Sequence, residues 1–310
     1  MRAVVLSDFG ATAGPADVPI PEPGAGEVRV RVHASSVNGF DVAVANSHLN
    51  GMMEHRFPVV LGKDFAGTVD AVGPDVTGYE VGDRVFGVVT KPYLGDGGFA
   101  EYVTVATAVG IAKLPSRIEF ADGGVLGLAG VAAINAVDKA NIQPGQVVLV
   151  AGATGGVGNQ ALQLAVKAGA TVIATAATAD EKRLVTDLGA TETVDCKEPI
   201  APAVHANYPD GVDVVLHFAG DAGAALAAVR KGGTFVSTLI MSAEHLPSPD
   251  VTVLGLYANP DEATLNRVAN NHAEGVTRVH IERTYSLDEV PYALAAFAAG
   301  TLGKLAIAVA

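Results

Sequence analysis

Cysteine is almost missing from this 310-residue chain, where Cys196 stands alone. An intrachain disulfide is excluded, and so is a zinc site built from several cysteines. The single thiol reads as a small apolar side chain rather than a nucleophile. Positive charge is scarce too: 20 Lys and Arg face 33 Asp and Glu, for a formal net charge of −13. So acidic a chain repels phosphate backbones, and nucleic acid is not an expected partner; a local basic pocket for a small anion stays open. No uncharged apolar run reads as long enough to span a bilayer, since the Gly/Ala-rich stretch near 157–168 is short and carries Lys167. Residues 1–8 lack the apolar core of a secretory signal. No membrane partner and a cytoplasmic location are therefore expected. Charged residues make up 17% of the chain and hydrophobic ones 49%. That is ample for a packed core, and the length suits two domains.

Residues 1–114 read as β-rich. Val28-Arg29-Val30-Arg31-Val32 alternates strictly, the mark of a half-buried strand. Phe65–Val72, Arg84–Val89 and Phe99–Val105 are further strand candidates, with turn chemistry at Gly73-Pro74-Asp75 and Gly78–Asp83. Many short strands with glycine-rich turns predict a barrel-like domain. From residue 115 strands and helices alternate: helix Gly123–Ala140, strand Val147–Ala151, helix Val157–Ala168, strand Thr171–Ala176 and helix Asp180–Leu188. Strand Val212–Phe218, helix Ala222–Arg230 and strand Thr234–Leu239 follow. Strands apolar throughout predict a parallel sheet covered on both faces. Beyond residue 277 come a strand at Arg278–Arg283, a helix from Ser286 to Ala299 and a last strand at Leu305–Val309. Ser286 and Glu289 read as the capping box of that helix.

The most specific motif is Val147-Val148-Leu149-Val150-Ala151-Gly152-Ala153-Thr154-Gly155-Gly156-Val157-Gly158. An apolar strand runs into a glycine turn that opens a helix. Glycine lets backbone approach a pyrophosphate, and the helix N-terminus offers unpaired N–H groups and the positive end of its dipole. Thr154, Gly155, Gly156, Val157 and Gly158 are the expected pyrophosphate contacts. NAD enzymes usually carry an acid at the end of the second strand. Here that end is Ala174-Thr175-Ala176-Ala177-Thr178, and Asp180 and Glu181 come only in the next helix. Thr178, Lys182 and Arg183 read either as a grip on a 2′-phosphate or, for the two cations, as solvated helix charges. NADPH is the expected cofactor. Ala219 and Thr238, at the ends of the strands over 212–218 and 234–239, complete the expected contacts.

Several segments in order resemble the medium-chain dehydrogenase/reductase superfamily. They are Val37-Asn38-Gly39-Phe40-Asp41, Leu61-Gly62-Lys63-Asp64-Phe65-Ala66-Gly67-Thr68-Val69, Gly82-Asp83-Arg84-Val85, Gly98-Phe99-Ala100-Glu101-Tyr102, the glycine motif and Gly303-Lys304-Leu305. The likeness is to the zinc-independent, quinone oxidoreductase-like (zeta-crystallin-like) branch. It implies an α/β fold: a GroES-like β-barrel catalytic domain from 1–114 and 278–310, and a Rossmann doubly wound parallel sheet over 115–277. It also implies a homodimer paired through the Rossmann sheet edge, for which Val251–Tyr257 reads as an edge strand or, equally, an internal one.

Zinc-dependent relatives hold their catalytic metal with Cys, His and a third ligand. By motif position those places fall at Asn38, Lys63 and near Leu128, whose side chains make no zinc site. The resemblance thus implies an NADPH-dependent reductase that gives hydride to a quinone or enone. Charge grows on the carbonyl oxygen, so a donor or cation aimed there is needed, with a proton source. Asn38 is the candidate amide donor, Lys63 the substitute for the metal's charge, and Tyr93 a phenol on a loop over the pocket. The plainer readings are that Asn38 pins a turn, that Lys63 faces solvent or pairs with Asp64, and that Tyr93 is an apolar lid. Asp41 reads as an anchor for backbone or for Asn38, and His217 as structural. Ala132 and Cys196 depart from the family's cofactor pattern. They keep open a non-catalytic NADPH-binding role, and an enoyl-thioester reductase is a further alternative.

Overall fold

Strict alternation in the sequence builds the center of the first sheet. Along strand Glu27–Ser36, Val28, Val30, Val32 and Ala34 are buried, while Arg29, Arg31 and His33 lie on the other face. This strand is antiparallel to Asp64–Val72, to Tyr102–Ala106 and, toward its end, to Lys304–Ala308. The sheet runs Ile281–Ser286, Lys304–Ala308, Glu27–Ser36, Asp64–Val72, Arg84–Val88 and Ile111–Lys113. A smaller sheet joins Gly14–Asp17, Arg2–Leu6 and Val59–Val60. The valines pack with Phe65, Val69, Val85, Val103 and Ile111, and a second core gathers Leu6, Val37, Leu61, Phe99, Val290 and Ile307.

The other sheet is parallel, in the order Glu192–Val194, Thr171–Thr175, Val147–Ala151, Val212–His217, Val229–Ser237 and Thr252–Gly255. This is the doubly wound order whose crevice opens at the strands' carboxyl ends, where the winding direction reverses. Within Val147–Ala151, Val148 and Val150 enter one core, and Leu149 and Ala151 enter the other. Burial on both faces is why this strand carries no polar alternation.

The computed structural model describes residues 1–240 and 242–309. It divides into two units: Met1–Leu128 with Pro260–Ala273 and the residues from Ile281 onward, and Ala129–Asn259 with Glu274–His280. The first division falls inside helix Phe120–Ala140 rather than at residue 115, and helix Glu262–Ala273 lies with the first unit. That helix and Gly39–Ala45 are absent from the sequence reading. So are the strands of the smaller sheet, which are short and carry no long alternation. The helix expected over 222–230 ends at Leu226 instead. Val229 pairs with Val212, and Arg230 bonds Asp213 at 2.7 Å, which draws those residues into the next strand. The strand expected at Phe99–Val105 begins at Tyr102, because Phe99 bonds Leu61 and Val4 through its backbone. Thr252–Gly255 is an edge strand. Ser286 and Glu289 do form a capping box, closing a short 3-10 turn ahead of helix Val290–Ala298. Helix Phe120–Ala140 is, contrary to the reading of the sequence, long and apolar enough to cross a membrane by composition; 67% of its most apolar window is buried in the fold.

Leu162, fully buried in the core with Val148 and Val150, tests this packing. Leu162→Ala is expected to lower unfolding free energy by about 2–5 kcal/mol, read by urea titration. A loss below about 1 kcal/mol would contradict close packing there.

Candidate active site and cofactor cradle

Asn38 lies two residues after strand Glu27–Ser36 and caps helix Gly39–Ala45. Asp41 lies one turn on, and its Oδ2 accepts the Asn38 backbone N–H at 2.8 Å. The expectation that Asp41 anchors this backbone is borne out. The Asn38 side chain is not a free donor. Its Nδ2 donates to Asp64 Oδ2 at 2.8 Å and to the Ser36 carbonyl at 3.3 Å, and its Oδ1 accepts from the Lys304 ammonium at 2.7 Å. Those partners leave one amide orientation possible. The structure therefore corrects the reading of Asn38 as a donor toward substrate: it braces a buried network.

Asp64 is the center of that network and is fully buried. One oxygen accepts the Leu128 N–H at 2.6 Å. The other accepts Ser36 Oγ at 2.6 Å, Asn38 Nδ2, and Lys304 Nζ at 3.4 Å. Lys304, also buried, gives a third hydrogen bond to the Val37 carbonyl at 2.9 Å. Burial pushes the Lys304 ammonium below its ordinary pKa, against the pull of Asp64 and Asp41. The sequence reading missed both Asp64 and Lys304 as site residues. The one available signal was a charge at the start of each of two apolar strands; their pairing spans 240 residues and leaves no local pattern.

Lys63 neither faces open solvent nor pairs with Asp64. Its Nζ donates to the Val89 carbonyl at 2.6 Å and lies 4.7 Å from the center of the Phe40 ring. Burial lowers its pKa, while the carboxylates of Asp41 and Asp64 pull it back up. The preceding Gly62 is at φ +100°, and a Cβ there would stand 2.5 Å from the Phe99 nitrogen. Only glycine makes that turn. Tyr93 is tied down as well: its hydroxyl donates to Asp96 at 2.9 Å and its ring lies 3.6 Å beneath the Arg56 guanidinium. Burial and the Asp96 carboxylate raise the phenol's pKa. Lys63 and Tyr93 line one small cavity of ≈ 20 Å³ together with Asp41, and Asn38 is not among its lining residues. Burial, and then the charge of Asp64, lift Asp41 to about 7, against the Asn38 N–H and the two lysines.

In the parallel-sheet unit the glycines divide the work of a dinucleotide cradle. Gly152 is at φ +83°, and a Cβ on it would meet Ala219 at 2.8 Å. At Gly158 a Cβ would lie 2.1 Å from the Gly152 carbonyl, so helix and strand can approach only without one. At Gly155 the Cβ position is open, with its nearest neighbor 3.5 Å away. Gly155 caps helix Gly156–Lys167, whose first N–H groups have no carbonyl to bond within the helix. Thr154, Gly156 and Val157 are half-buried around it. This open backbone fits a pyrophosphate.

The other expected contacts lie at the same carboxyl ends. Thr178 caps helix Ala179–Asp187, and its Oγ1 accepts from Glu181 N at 3.2 Å, which leaves the hydroxyl hydrogen free. The Glu181 carboxylate accepts the N–H groups of Ala177 and Thr178. Arg183 is held by Asp180 at 2.7 Å, whereas the exposed Lys182 ammonium has no partner among the described residues. Thr238 N bonds the His217 carbonyl. His217 is buried: Nε2 donates to the Gly220 carbonyl at 3.2 Å, so Nδ1 accepts from Ser237 Oγ at 2.9 Å. It joins the segments that follow two strands, as a structural histidine does. Cys196 is exposed, and partial desolvation of its thiol with Glu181 and Asp195 nearby raises its pKa, which does not favor a thiolate.

A six-stranded dinucleotide fold and a GroES-like barrel together define the two-domain dehydrogenase/reductase class. Two family models match: the alcohol dehydrogenase GroES-like domain over residues 24–116 and the zinc-binding dehydrogenase model over 156–258. A chloroplastic quinone oxidoreductase of Triphysaria versicolor is 33% identical over 71% of this chain and 68% of its own length. The quinone oxidoreductase of Sus scrofa is 35% identical over 70% of this chain and 65% of its own. The solved quinone oxidoreductase of Coxiella burnetii superposes with a TM-score of 0.91 at 28% identity, covering 100% of this chain and 99% of that one. The chain belongs to the medium-chain dehydrogenase/reductase superfamily, in its quinone oxidoreductase-like family. It is an oxidoreductase of a family that binds a nicotinamide cofactor and acts on small molecules.

Asp41 links stability to pH. Its proton is held more tightly in the folded chain, with a pKa of about 7 against a reference of 3.8. The stability it contributes is therefore complete below the unfolded value and is lost as pH rises through the folded one. Asp41→Asn keeps an acceptor for the Asn38 N–H, and its Tm should gain on that of wild type between about pH 4 and about pH 7. A constant Tm difference across that range would contradict the raised pKa.

Proposed function

We propose that this protein is an NADPH-dependent reductase that transfers hydride to a quinone or an α,β-unsaturated carbonyl without a metal. The observation that carries the reading is Lys63, a largely buried lysine lining a cavity in the barrel unit, whose pKa burial lowers and the Asp64 carboxylate, with Asp41 when ionized, pulls back up. A positive charge in so poorly solvated a place stabilizes a developing oxyanion far better than one in water. Support for a metal-free reaction comes from donor chemistry. The amide of Asn38 is committed to Asp64, Ser36 and Lys304, and Lys63 offers hydrogen, not a lone pair. Among the described residues no three His, Cys, Asp or Glu side chains gather as a metal site.

A bound nicotinamide dinucleotide supplies the hydride. Gly155 leaves space for its pyrophosphate, and the helix behind it presents N–H groups. Thr178 and Lys182 together offer a hydroxyl and an unpaired cation for a 2′-phosphate, which supports NADPH over NADH. The Asn38, Asp64 and Lys304 network holds the segment around the site, and Tyr93 roofs the cavity while bonded to Asp96. The edge strand Thr252–Gly255, with exposed Leu239 nearby in the chain, supports pairing with a second copy.

Oxidation of NADPH and of NADH is to be compared with a benzoquinone, a naphthoquinone, an enone and an alkenal as acceptors. NADPH should be preferred, and Lys182→Ala should raise its KM about tenfold while leaving that of NADH unchanged. Lys63→Met should lower kcat by about 100-fold with NADPH affinity intact. Tight NADPH binding with no turnover on any acceptor would favor a binding role, and unchanged kinetics in Lys63→Met would remove Lys63 from the chemistry.

A further inference from the structure

The cavity that Asp41, Lys63 and Tyr93 share is the size of one water molecule, at ≈ 20 Å³. Two of its polar groups have bonding capacity left over. Asp41 is 2% exposed, and its Oδ2 is taken by the Asn38 N–H. No partner for its other oxygen is found among the described residues. Lys63 spends one of its three hydrogens on the Val89 carbonyl. No hydrogen bond or ion pair joins Asp41 to Lys63 directly, although each charge acts on the other. A buried water needs two to four polar partners, and these two supply them.

We propose that Asp41, one water in this cavity and Lys63 form a proton relay, in which Asp41 restores to Lys63 the proton that Lys63 gives to the reduced substrate. The inference rests on the reductase reading above. Reduction of a quinone or enone adds a hydride, with its electron pair from the nicotinamide, and leaves an oxyanion. The oxyanion takes a proton from Lys63 Nζ and becomes a hydroxyl. The neutral amine takes a proton from the water, which takes one from the Asp41 carboxyl. Solvent then reprotonates the Asp41 carboxylate, and one proton is consumed per hydride.

The surroundings suit Asp41 to the task. Asp64 faces it from strand Asp64–Val72 and favors its neutral form; Lys304 and Lys63 favor the charged form. Tyr93 and Asp96 line the same cavity from the loop above. Helix Val290–Ala298, packed against the Asp41 helix, brings no charged side chain, and its Tyr292 is exposed. The result is a carboxyl that carries a proton near neutral pH, where the plain capping residue of a surface helix would be ionized.

Two variants separate the relay from a structural role. Asp41→Asn keeps the cap acceptor and removes the proton, while Lys63→Arg keeps the charge but holds its proton permanently. Both should lower kcat on a benzoquinone by about 100-fold, leave the acceptor KM within about twofold, and abolish the fall of kcat with rising pH near neutrality. Infrared spectra of the cofactor-free protein should show a protonated-carboxyl band that fades as pH rises through neutrality and is absent in Asp41→Asn. Wild-type turnover and pH dependence in Asp41→Asn, or no such band in wild type, would overturn the relay and leave the reductase reading standing. Failure of wild type to reduce any acceptor would overturn the reductase reading and the relay with it. Thermal melting checks that each variant is folded, and Lys63→Arg decides if Asp41→Asn is not.

Discussion

A carboxylate removed from water must find donors for all its lone pairs, and Asp64 is such a carboxylate. Its oxygens are met by a backbone N–H, a hydroxyl, an amide and an ammonium. Each donor comes from a different place in the chain: Leu128, Ser36, Asn38 and Lys304. Removing the Lys304 ammonium would leave the buried carboxylate without its cation, which costs several kcal/mol by general experience. The end of strand Glu27–Ser36, the start of helix Gly39–Ala45 and the strand Lys304–Ala308 are thereby held to one geometry. Asn38 is the joint between anion and cation, since its two ends face Asp64 and Lys304.

The local consequence is electrostatic. Two carboxylates and two lysines lie together under little solvent: Asp64 raises the proton affinity of Asp41, and both carboxylates raise that of Lys63 and of Lys304. Asp64 and Asp41 support the charge of Lys63 against its burial. Lys304 and Lys63 limit how far Asp41 is raised. The two lysines divide the labor: one is locked in the network, and the other lies beside a cavity with hydrogens unspent. The cradle in the other unit works by shape rather than charge. Two of its glycines are demanded by backbone clearance, at Gly152 and Gly158, and at the third, Gly155, a Cβ would make only an ordinary contact.

The periodic parts of this molecule are legible in its sequence. The alternation at Val28–Val32 and the apolar strand ahead of Gly152 produced strands where expected, because each face of a sheet imposes its own requirement on the residues it carries. The capping box at Ser286 and Glu289 was equally readable, since its donors and acceptors are three residues apart. Short elements were not. Helix Gly39–Ala45 spans too few turns for a pattern, and the segment after Leu226 follows its pairing with Val212 rather than its own helix propensity. Asn38 and Lys63 are singled out by position in a motif and Tyr93 by its place on a loop, and neither signal carries information about where their atoms point.

The sequence by itself determined which of the long periodic segments become strands and helices, the glycine positions of the dinucleotide turn, and the family. These are properties of neighboring residues, and neighbors are visible in a string. Tertiary structure alone decided that the Asn38 amide is consumed inside the fold, that Lys304 and not Lys63 answers Asp64, and that Lys182 rather than Arg183 keeps a free charge. Those outcomes depend on which groups meet after the chain has closed on itself. Burial then sets their price in solvation, so a proton can stay on Asp41 where the same residue on a surface would lose it.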